Sequence, residues 1–395
     1  MQAWPHQIKV AANAASILKA NMIVYLAMEE RTGKTLTSIL VCEQINVKRV
    51  LVITKKKAIK GWQDTLKAFA HTKVYDVTNY HQANKKTGNY DLVILDESHN
   101  YISAYPKTGK IWKEVKEIAF GKPLIYISAT PNAQGPQQLY HQFALSAWSP
   151  WLKYRNFYAW FKVYGKPYTL EINSIKVPQY DRANQTKIMN DVDHLFITYT
   201  RKDLGFKQEP DDVIHWIELD DITKKVYNEL LEHELVAFSH GMLVCDTKSK
   251  LRTSLHQLEG GTMKIEDNRY VLSNTEKIDY IKDRWGDSAD LVIMYNFIKE
   301  RDKLEEAFRQ ATILQATSNA EGVDLSGFRH LVVYSQDYST ARHTQRRARQ
   351  ANMKREDPIH VHFLLVRKAI SEQVYKTVSV NKKNYVDSVF AKEQL

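Results

Sequence analysis

"NMIVYLAMEERTGKTLTSILVCEQI" occupies Asn21 to Ile45. The apolar run Asn21–Met28 is short enough for a strand, and "LTSILVCEQI" carries a helical pattern. "EERTGKT" therefore joins a strand to a helix. Working outward, "RVLVIT" (Arg49–Thr54), "KVYDVT" (Lys73–Thr78), "DLVILD" (Asp91–Asp96) and "PLIYISAT" (Pro123–Thr130) read as further strands, with the helical "AIKGWQDTLKAFA" among them. Strands spaced by helices predict a parallel sheet covered on both faces. The texture returns in "ADLVIMYN" (Ala289–Asn296), the helical "FIKERDKLEEAFRQ", "ATILQAT", "HLVVYS" and "IHVHFLLV" (Ile359–Val366). The expected fold class is α/β, with units near Met1–Leu145 and Asp212–Leu395. Residues 146–211 are expected to form an aromatic-rich helical protrusion and linker. Trp148, Trp151, Tyr154, Tyr158 and Phe161 fall near i+3 and i+4 spacing, which suits packing better than a base-stacking surface. Gly260–Gly261 and the "EDNR" at Glu266–Arg269 suggest an exposed loop.

The 395 residues are 44% hydrophobic and 26% charged, which is globular composition with room for about two domains. A formal charge of +11 points to a polyanionic partner. Cys42 and Cys245 form no disulfide framework or metal spacing, which suits a reducing compartment. No run approaches the ~20 apolar residues of a membrane span. The first residues lack the pattern of a secretory signal. A soluble cytoplasmic protein is expected, with no membrane partner.

Gly-Lys-Thr at a helix start suits a nucleotide's phosphates. Gly33 lets the backbone approach, Lys34 reaches the β- and γ-phosphates, and the Thr35 hydroxyl can ligate Mg²⁺. Taken alone, these residues fit a chance helix N-cap as well, because Met28 stands where the full pattern has its first glycine. The strand "DLVILD" supplies a second signal. It ends in Asp96, Glu97, Ser98 and His99 rather than in Gly, Asn or Pro. Phosphate chemistry needs one strand-end carboxylate for the metal and another for the attacking water, and Asp96 and Glu97 suit those roles.

"RTGKT" and "DESH" together resemble motifs I and II of the superfamily-two helicase ATPases. Further matches follow in the order of the Swi/Snf branch. "WPHQ" resembles the adenine-reading element, with Gln7 in the contacting place. "LVITKKKAIKGWQDTLKAF" and "DVTNYHQ" resemble motifs Ia and Ib. "ISATPNAQGPQQLYHQF" is similar to motif III, centred on Ser128, Ala129 and Thr130. "ITYTRKDLGF" and "IELDDITKKVYNELL" resemble inter-lobe segments. "ADLVIMYNFIKERDKLEEAF", "LQATSNAEGVDLSGFRHLVVYSQDYS" and "TQRRARQAN" resemble motifs IV, V and VI. The short form resembles phage or mobile-element members.

The resemblance implies two RecA-like lobes with helical insertions between motifs III and IV, and ATP with Mg²⁺ as cofactors. It assigns phosphate contacts to Thr32, Gly33, Lys34 and Thr35, with Arg31 beside them. It also assigns metal binding to Asp96 and Thr35, catalytic base to Glu97, and coupling to His99, Ser128 and Thr130. Gly322 and Asp324 match the end of motif V. Gln345 and Arg349 are the residues expected from the second lobe, Arg349 as an arginine finger. The chain departs from the family at Met28 and Arg31, in the missing paired glycines of motif V, and at Asn352. That last position replaces a second arginine, for which Lys354 or Arg355 could substitute.

Between Ala341 and Arg355 lie six Lys/Arg and no acid. Arg342, Arg346 and Arg349 fall at i, i+4 and i+7, one helix face, with Arg346 a further ATP contact. Arg347 points elsewhere and reads as solvated. Lys55, Lys56, Lys57 and Lys60 follow a strand end and would read phosphate charge rather than sequence. Asn79, Tyr80, Thr317 and Arg342 complete the expected DNA contacts. The reading is an ATP-dependent translocase, expected to act as a monomer on double-stranded DNA without sequence preference. The alternatives are a strand-separating helicase and a DNA-binding scaffold whose ATPase has decayed.

Overall fold

The computed structural model describes residues 1–132, 134–172, 175–207, 209–239, 241–316, 325–351 and 355–381. The chain divides into two compact units, Met1–Gly205 and Phe206–Leu395. Each is an α/β layer structure built on an all-parallel main sheet.

The first unit runs α1 (Pro5–Asn21), β1 (Ile23–Met28), α2 (Lys34–Glu43), β2 (Arg49–Thr54), α3 (Ile59–Ala68), β3 (Val74–Asn79) and β4 (Leu92–Asp96). It continues through α4 (Lys110–Ala119), β5 (Leu124–Ile127), α5 (Leu139–Phe143), α6 (Phe157–Tyr164), β6 (Tyr168–Ile172), β7 (Ile175–Gln179), α7 (Gln185–Val192) and β8 (Phe196–Tyr199). The sheet order is β3-β2-β4-β5-β1-β8. Alternation along the strands sorts side chains onto two faces. Val24, Leu26, Val50, Val52, Leu92, Ile94 and Ile125 pack with Val10, Ala14, Ile39 and Trp62 of α1–α3. Tyr25, Leu51, Ile53, Val93, Leu95 and Tyr126 pack with Val115, Phe143, Trp160 and Ile188 of α4–α7. Because both faces are covered, the central strands read as continuous apolar runs.

The aromatic stretch belongs to that second core. Trp151, Phe157, Trp160, Phe161 and Tyr164 are buried, and Phe157 and Phe161 stack at 5.4 Å. The spacing read from the sequence selected partly different residues. Trp148 and Tyr158 are exposed, while Phe157, Trp160 and Tyr164 form the inner face of α6.

The second unit runs β9 (Pro210–Ile217), α8 (Asp221–His233), β10 (Leu235–Phe238), β11 (Gly241–Val244), α9 (Lys248–Glu259), β12 (Thr262–Ile265), β13 (Asn268–Val271) and α10 (Glu276–Trp285). It continues through β14 (Leu291–Tyr295), α11 (Ile298–Ala307), β15 (Thr312–Gln315), β16 (His330–Val333), α12 (Thr340–Arg347), β17 (Ile359–Val366) and α13 (Ile370–Tyr375). Its sheet order is β15-β14-β16-β17-β9. β6–β7, β10–β11 and β12–β13 are antiparallel hairpins. The segment between the two expected lobes thus carries strands as well as helices.

The exposed-loop reading of Gly260–Gly261 needs correcting. Both glycines are buried, and Cβ atoms there would lie 2.2 Å from Glu300 Oε1 and 2.2 Å from Lys303 Nζ respectively. They are glycines because α11 packs against them. Only Glu266–Arg269 is exposed, at the turn end of the β12–β13 hairpin.

Candidate active site

The loop from β1 to α2 is organised by its own residues and by α1. Gly33 has φ +82°, and a Cβ there would sit 2.1 Å from Gln7 Nε2. The position therefore requires glycine for conformation and for space. Gln7 is buried, donates from Nε2 to the Gly33 carbonyl (3.1 Å) and accepts from the Trp4 N–H (2.8 Å). Thr32 Oγ1 and Lys34 Nζ both donate to the Glu29 carbonyl, at 2.8 and 2.9 Å. Lys34 and Thr35 open α2, so the helix's unpaired N–H groups face the same loop. Arg31 adopts φ +66°, a conformation few side chains favour.

Two acids in this loop, Glu29 and Glu30, are answered by Arg201. Its Nε lies 3.8 Å from Glu29 Oε2 and its Nη1 3.7 Å from Glu30 Oε2, and its N–H donates to Glu29 Oε2 at 2.8 Å. Arg201 lies in the "ITYTRKDLGF" segment, yet nothing local marked it as the loop's counter-charge.

Asp96 closes β4. Thr54 Oγ1 and Trp62 Nε1 both donate to its Oδ2, at 2.7 and 2.9 Å. Burial, and then the Glu97 charge, push the Asp96 carboxyl up, while Thr54, Trp62 and Lys34 oppose them. Glu97 follows at φ +53°, and its N–H donates to the Ile127 carbonyl at 2.8 Å. A left-handed glutamate directly after the strand turns its side chain off the sheet line.

His99, Ser128 and Thr130 come together. His99 Nδ1 and Ser128 Oγ lie 2.8 Å apart, and His99 Nε2 and Thr130 Oγ1 3.3 Å apart. His99 Nδ1 also lies 3.6 Å from Glu97 Oε2. Burial, and then Lys55, drive the imidazole down to about 3, so it is neutral at pH 7. The ends of β4 and β5 are thereby tied through one ring. Gln142 secures the layer beneath by accepting from Ser98 Oγ and Tyr25 OH, each at 2.8 Å.

Lys55 caps a short turn at Lys56–Ala58. Lys56, Lys57 and Lys60 are exposed, with Lys60 Nζ 2.6 Å from Asp64. Asn79 and Tyr80 do not share that surface. Tyr80 is 0% exposed, stacks on Tyr101 at 4.3 Å and donates to the Asp96 carbonyl at 2.9 Å. Asn79 is buried and accepts from the His81 N–H at 3.0 Å. Tyr80 thus supports the strand end at Asp96, and Asn79 caps the turn that follows β3.

In the second unit α12 ends at Arg347, and Arg349 falls in a separate turn, Ala348–Gln350. The single helical face predicted for Arg342, Arg346 and Arg349 is interrupted there. Arg342 is exposed, whereas Gln345 is buried. Arg346 is 2% exposed and pairs with Asp337 at 2.5 Å, so its charge is engaged inside the unit. Arg347 is not merely solvated: its Nε lies 2.7 Å from Asp212 Oδ1 and its Nη2 donates to the Pro210 carbonyl. Thr317, Gly322, Asp324, Asn352 and Lys354 lie outside the described residues. Among the described residues no cluster of His, Cys, Asp and Glu could hold a metal ion by itself. Nor is any helix among them long and apolar enough to cross a membrane.

No family model matches the chain, and no curated protein matches it. Among solved structures, it is similar to the Sulfolobus solfataricus SWI2/SNF2 ATPase core in complex with dsDNA. The identity is 15%, covering 99% of this chain and 92% of that chain, with a TM-score of 0.44.

Proposed function

We propose that the chain is a DNA-dependent ATPase of the Swi/Snf-like kind, moving along the backbone of duplex DNA. One observation carries the reading. Three pieces of phosphate chemistry converge in the first unit: the Gly33–Lys34–Thr35 loop after β1, the Asp96–Glu97 pair after β4, and the His99 bridge to Ser128 and Thr130 after β5. Strand β5 lies between β1 and β4 in the sheet.

These residues fit ATP and Mg²⁺. Gly33 holds the loop at φ +82°, a conformation and a close approach to Gln7 that a Cβ would not allow, so glycine sets the path of the backbone N–H groups that open α2. Asp96 takes both of its side-chain hydrogen bonds on Oδ2, so Oδ1 is the oxygen to offer a metal, with the Thr35 hydroxyl as companion. An all-oxygen set suits a hard cation. When bound, ATP with Mg²⁺ supplies the phosphoryl group and a positive clamp on its charge. Lys34 binds the phosphates, Glu97 orients the attacking water and accepts its proton, and Thr54 and Trp62 fix the Asp96 carboxylate. Lys55, Lys56, Lys57 and Lys60 offer cations to backbone phosphates.

The test is ATP turnover against duplex, single-stranded and forked DNA, and RNA. Glu97→Gln is expected to keep ATP binding and lose ~10²–10⁴-fold in rate, and Lys34→Ala to weaken binding itself. Arg349→Ala is expected to cost roughly 10³-fold or more, as loss of an arginine finger does. Wild-type turnover in Glu97→Gln would sink the assignment of the base. Stimulation by closed duplex circles supports translocation. Unwinding from a single-stranded tail without such stimulation would favour the strand-separating alternative.

A further inference from the structure

A pocket of about 470 Å³ opens in the second unit at the carboxyl ends of β14, β15 and β16. The chain leaves β14 toward β15 on one side and returns to β16 on the other, so the pocket lies at a topological switch point. Asn296 follows β14, Gln315 closes β15, and Ser339 and Arg342 belong to the start of α12.

The remaining wall comes from the β12–β13 hairpin. Lys264 and Arg269 face each other in register across that hairpin, and both line the pocket. Met263 and Ile265, their neighbours along β12, are buried in the core of the unit. A one-residue slip would expose those two and bury Lys264, so core packing fixes the orientation of the basic pair.

The charge is one-sided. Lys264, Arg269 and Arg342 are exposed, and none has an acidic partner among the described residues. Among the described residues Asp337 is the only carboxylate lining the pocket, and it is already taken: Arg346 lies 2.5 Å from Oδ2 and the Ser339 N–H donates to Oδ1 at 2.8 Å. Glu266 and Asp267 sit at the hairpin turn and do not line the pocket.

We propose that this pocket seats phosphates of a polynucleotide backbone, with Lys264 and Arg269 of the hairpin and Arg342 of α12 as its cations. The inference rests on the reading of the chain as a nucleic-acid enzyme and extends it to the β12–β13 hairpin, Lys264 and Arg269, which the motif resemblance does not cover. The cations stand on two separate exposed elements, an arrangement that grips a continuous chain. The Asn296 amide can bond phosphate or sugar oxygens without reading sequence, beside Gln315, whose Nε2 donates to the Asn296 carbonyl at 3.4 Å.

The test uses the full chain and a short blunt labelled duplex, with affinity measured across a salt series. Lys264→Gln with Arg269→Gln should weaken binding and flatten the plot of log K against log salt by about 2, roughly one per lost phosphate contact. Lys264→Arg with Arg269→Lys should keep both near wild type. Thermal melting confirms that each variant is folded, which exposed hairpin positions allow. A folded double variant with wild-type affinity and slope overturns this inference alone. A wild-type chain that binds no polynucleotide overturns the inference and the functional reading together. A double variant that loses affinity for free ATP or inorganic phosphate, but keeps the wild-type slope on DNA, assigns the pocket to small phosphates and also overturns the inference.

Discussion

The two units use charged residues at their strand ends in opposite ways. In the first, neutral donors hold the Asp96 carboxylate, Thr54 and Trp62 on its Oδ2, and Tyr80 holds the adjoining backbone. That carboxylate is positioned without an ion pair among the described residues. In the second, two of the nominated helix's arginines are neutralised internally, Arg346 by Asp337 and Arg347 by Asp212. A hydrogen bond from a neutral group aims an ion and leaves its charge available to a ligand. A buried ion pair stabilises geometry and removes the charge from use. Functional promise therefore tracks the kind of partner a charged residue has.

The largest expected effect that sharpens this contrast is on stability. Arg346→Ala strands Asp337 in the interior and should destabilise the second unit by ~3–5 kcal/mol, the usual cost of breaking a buried pair. Arg342→Ala, on the exposed side of the same helix, should leave the melting temperature nearly unchanged. Denaturant unfolding of both variants checks this. Equal stability of the two would end the claim that Arg346 is structural.

A smaller effect is expected at Trp62, acting on function. Trp62→Phe keeps most of the packing and deletes one hydrogen bond to Asp96. Loss of such a supporting bond typically costs ~10–100-fold in metal affinity or activity. The expected signature is a higher Mg²⁺ requirement at an unchanged melting temperature. A variant that needs no extra Mg²⁺ would mean that Thr54 alone holds the carboxylate.

The smallest effect near neutrality, growing with acid, concerns the histidines. In the second unit burial depresses His256, His215, His330, and also His343 and His362, the last two to about 3. Between the ordinary value of ~6.5 and these depressed values, the unfolded chain takes up protons that the folded chain refuses. Stability therefore falls as pH drops through that window. Glu259 and Glu300, raised to about 6 and about 7, act in the opposite sense, because the folded state protonates them first. That opposition is complete once pH is below the ordinary glutamate range, while the histidine penalty continues. The first unit carries fewer such histidines, His99 at about 3 and His141 at about 4. Amide exchange followed from pH 7 to 4 should show the second unit loosening first. Simultaneous loosening would remove the distinction.

The central strands were legible because sheets covered on both faces demand unbroken apolar runs, as in Leu92–Leu95. Two of the four edge strands, β8 and β9, were not, whereas the edge strands β3 and β15 were. In β8, "FITY" is nowhere fully buried, and β9 mixes Asp211, Asp212 and His215 with apolar residues, as positions with one free side can. Within the site, Gly33, Lys34, Asp96 and Glu97 stood out because the chemistry allows few substitutes for them. Trp62 and Arg201 were hidden for the opposite reason. Their roles depend on contacts with Asp96, Glu29 and Glu30, and only folding creates those. The arginine row misled because its periodicity describes a helix face and is silent about Asp337 and Asp212.

Thr54 immediately precedes Lys55, and Trp62 lies two positions beyond Lys60. The basic segment is therefore suspended between the two donors that hold Asp96 Oδ2. Any load on those lysines is felt at the carboxylate along two short paths, one through the end of β2 and one through the first turn of α3. Linkage of this kind runs equally in both directions. Whatever strengthens the grip of the segment when Asp96 is well aligned must, by the same free energy, align Asp96 when the segment is gripped. On the proposed function, polynucleotide and ATP would each raise the affinity for the other, with the coupling carried by a threonine and a tryptophan that bind neither.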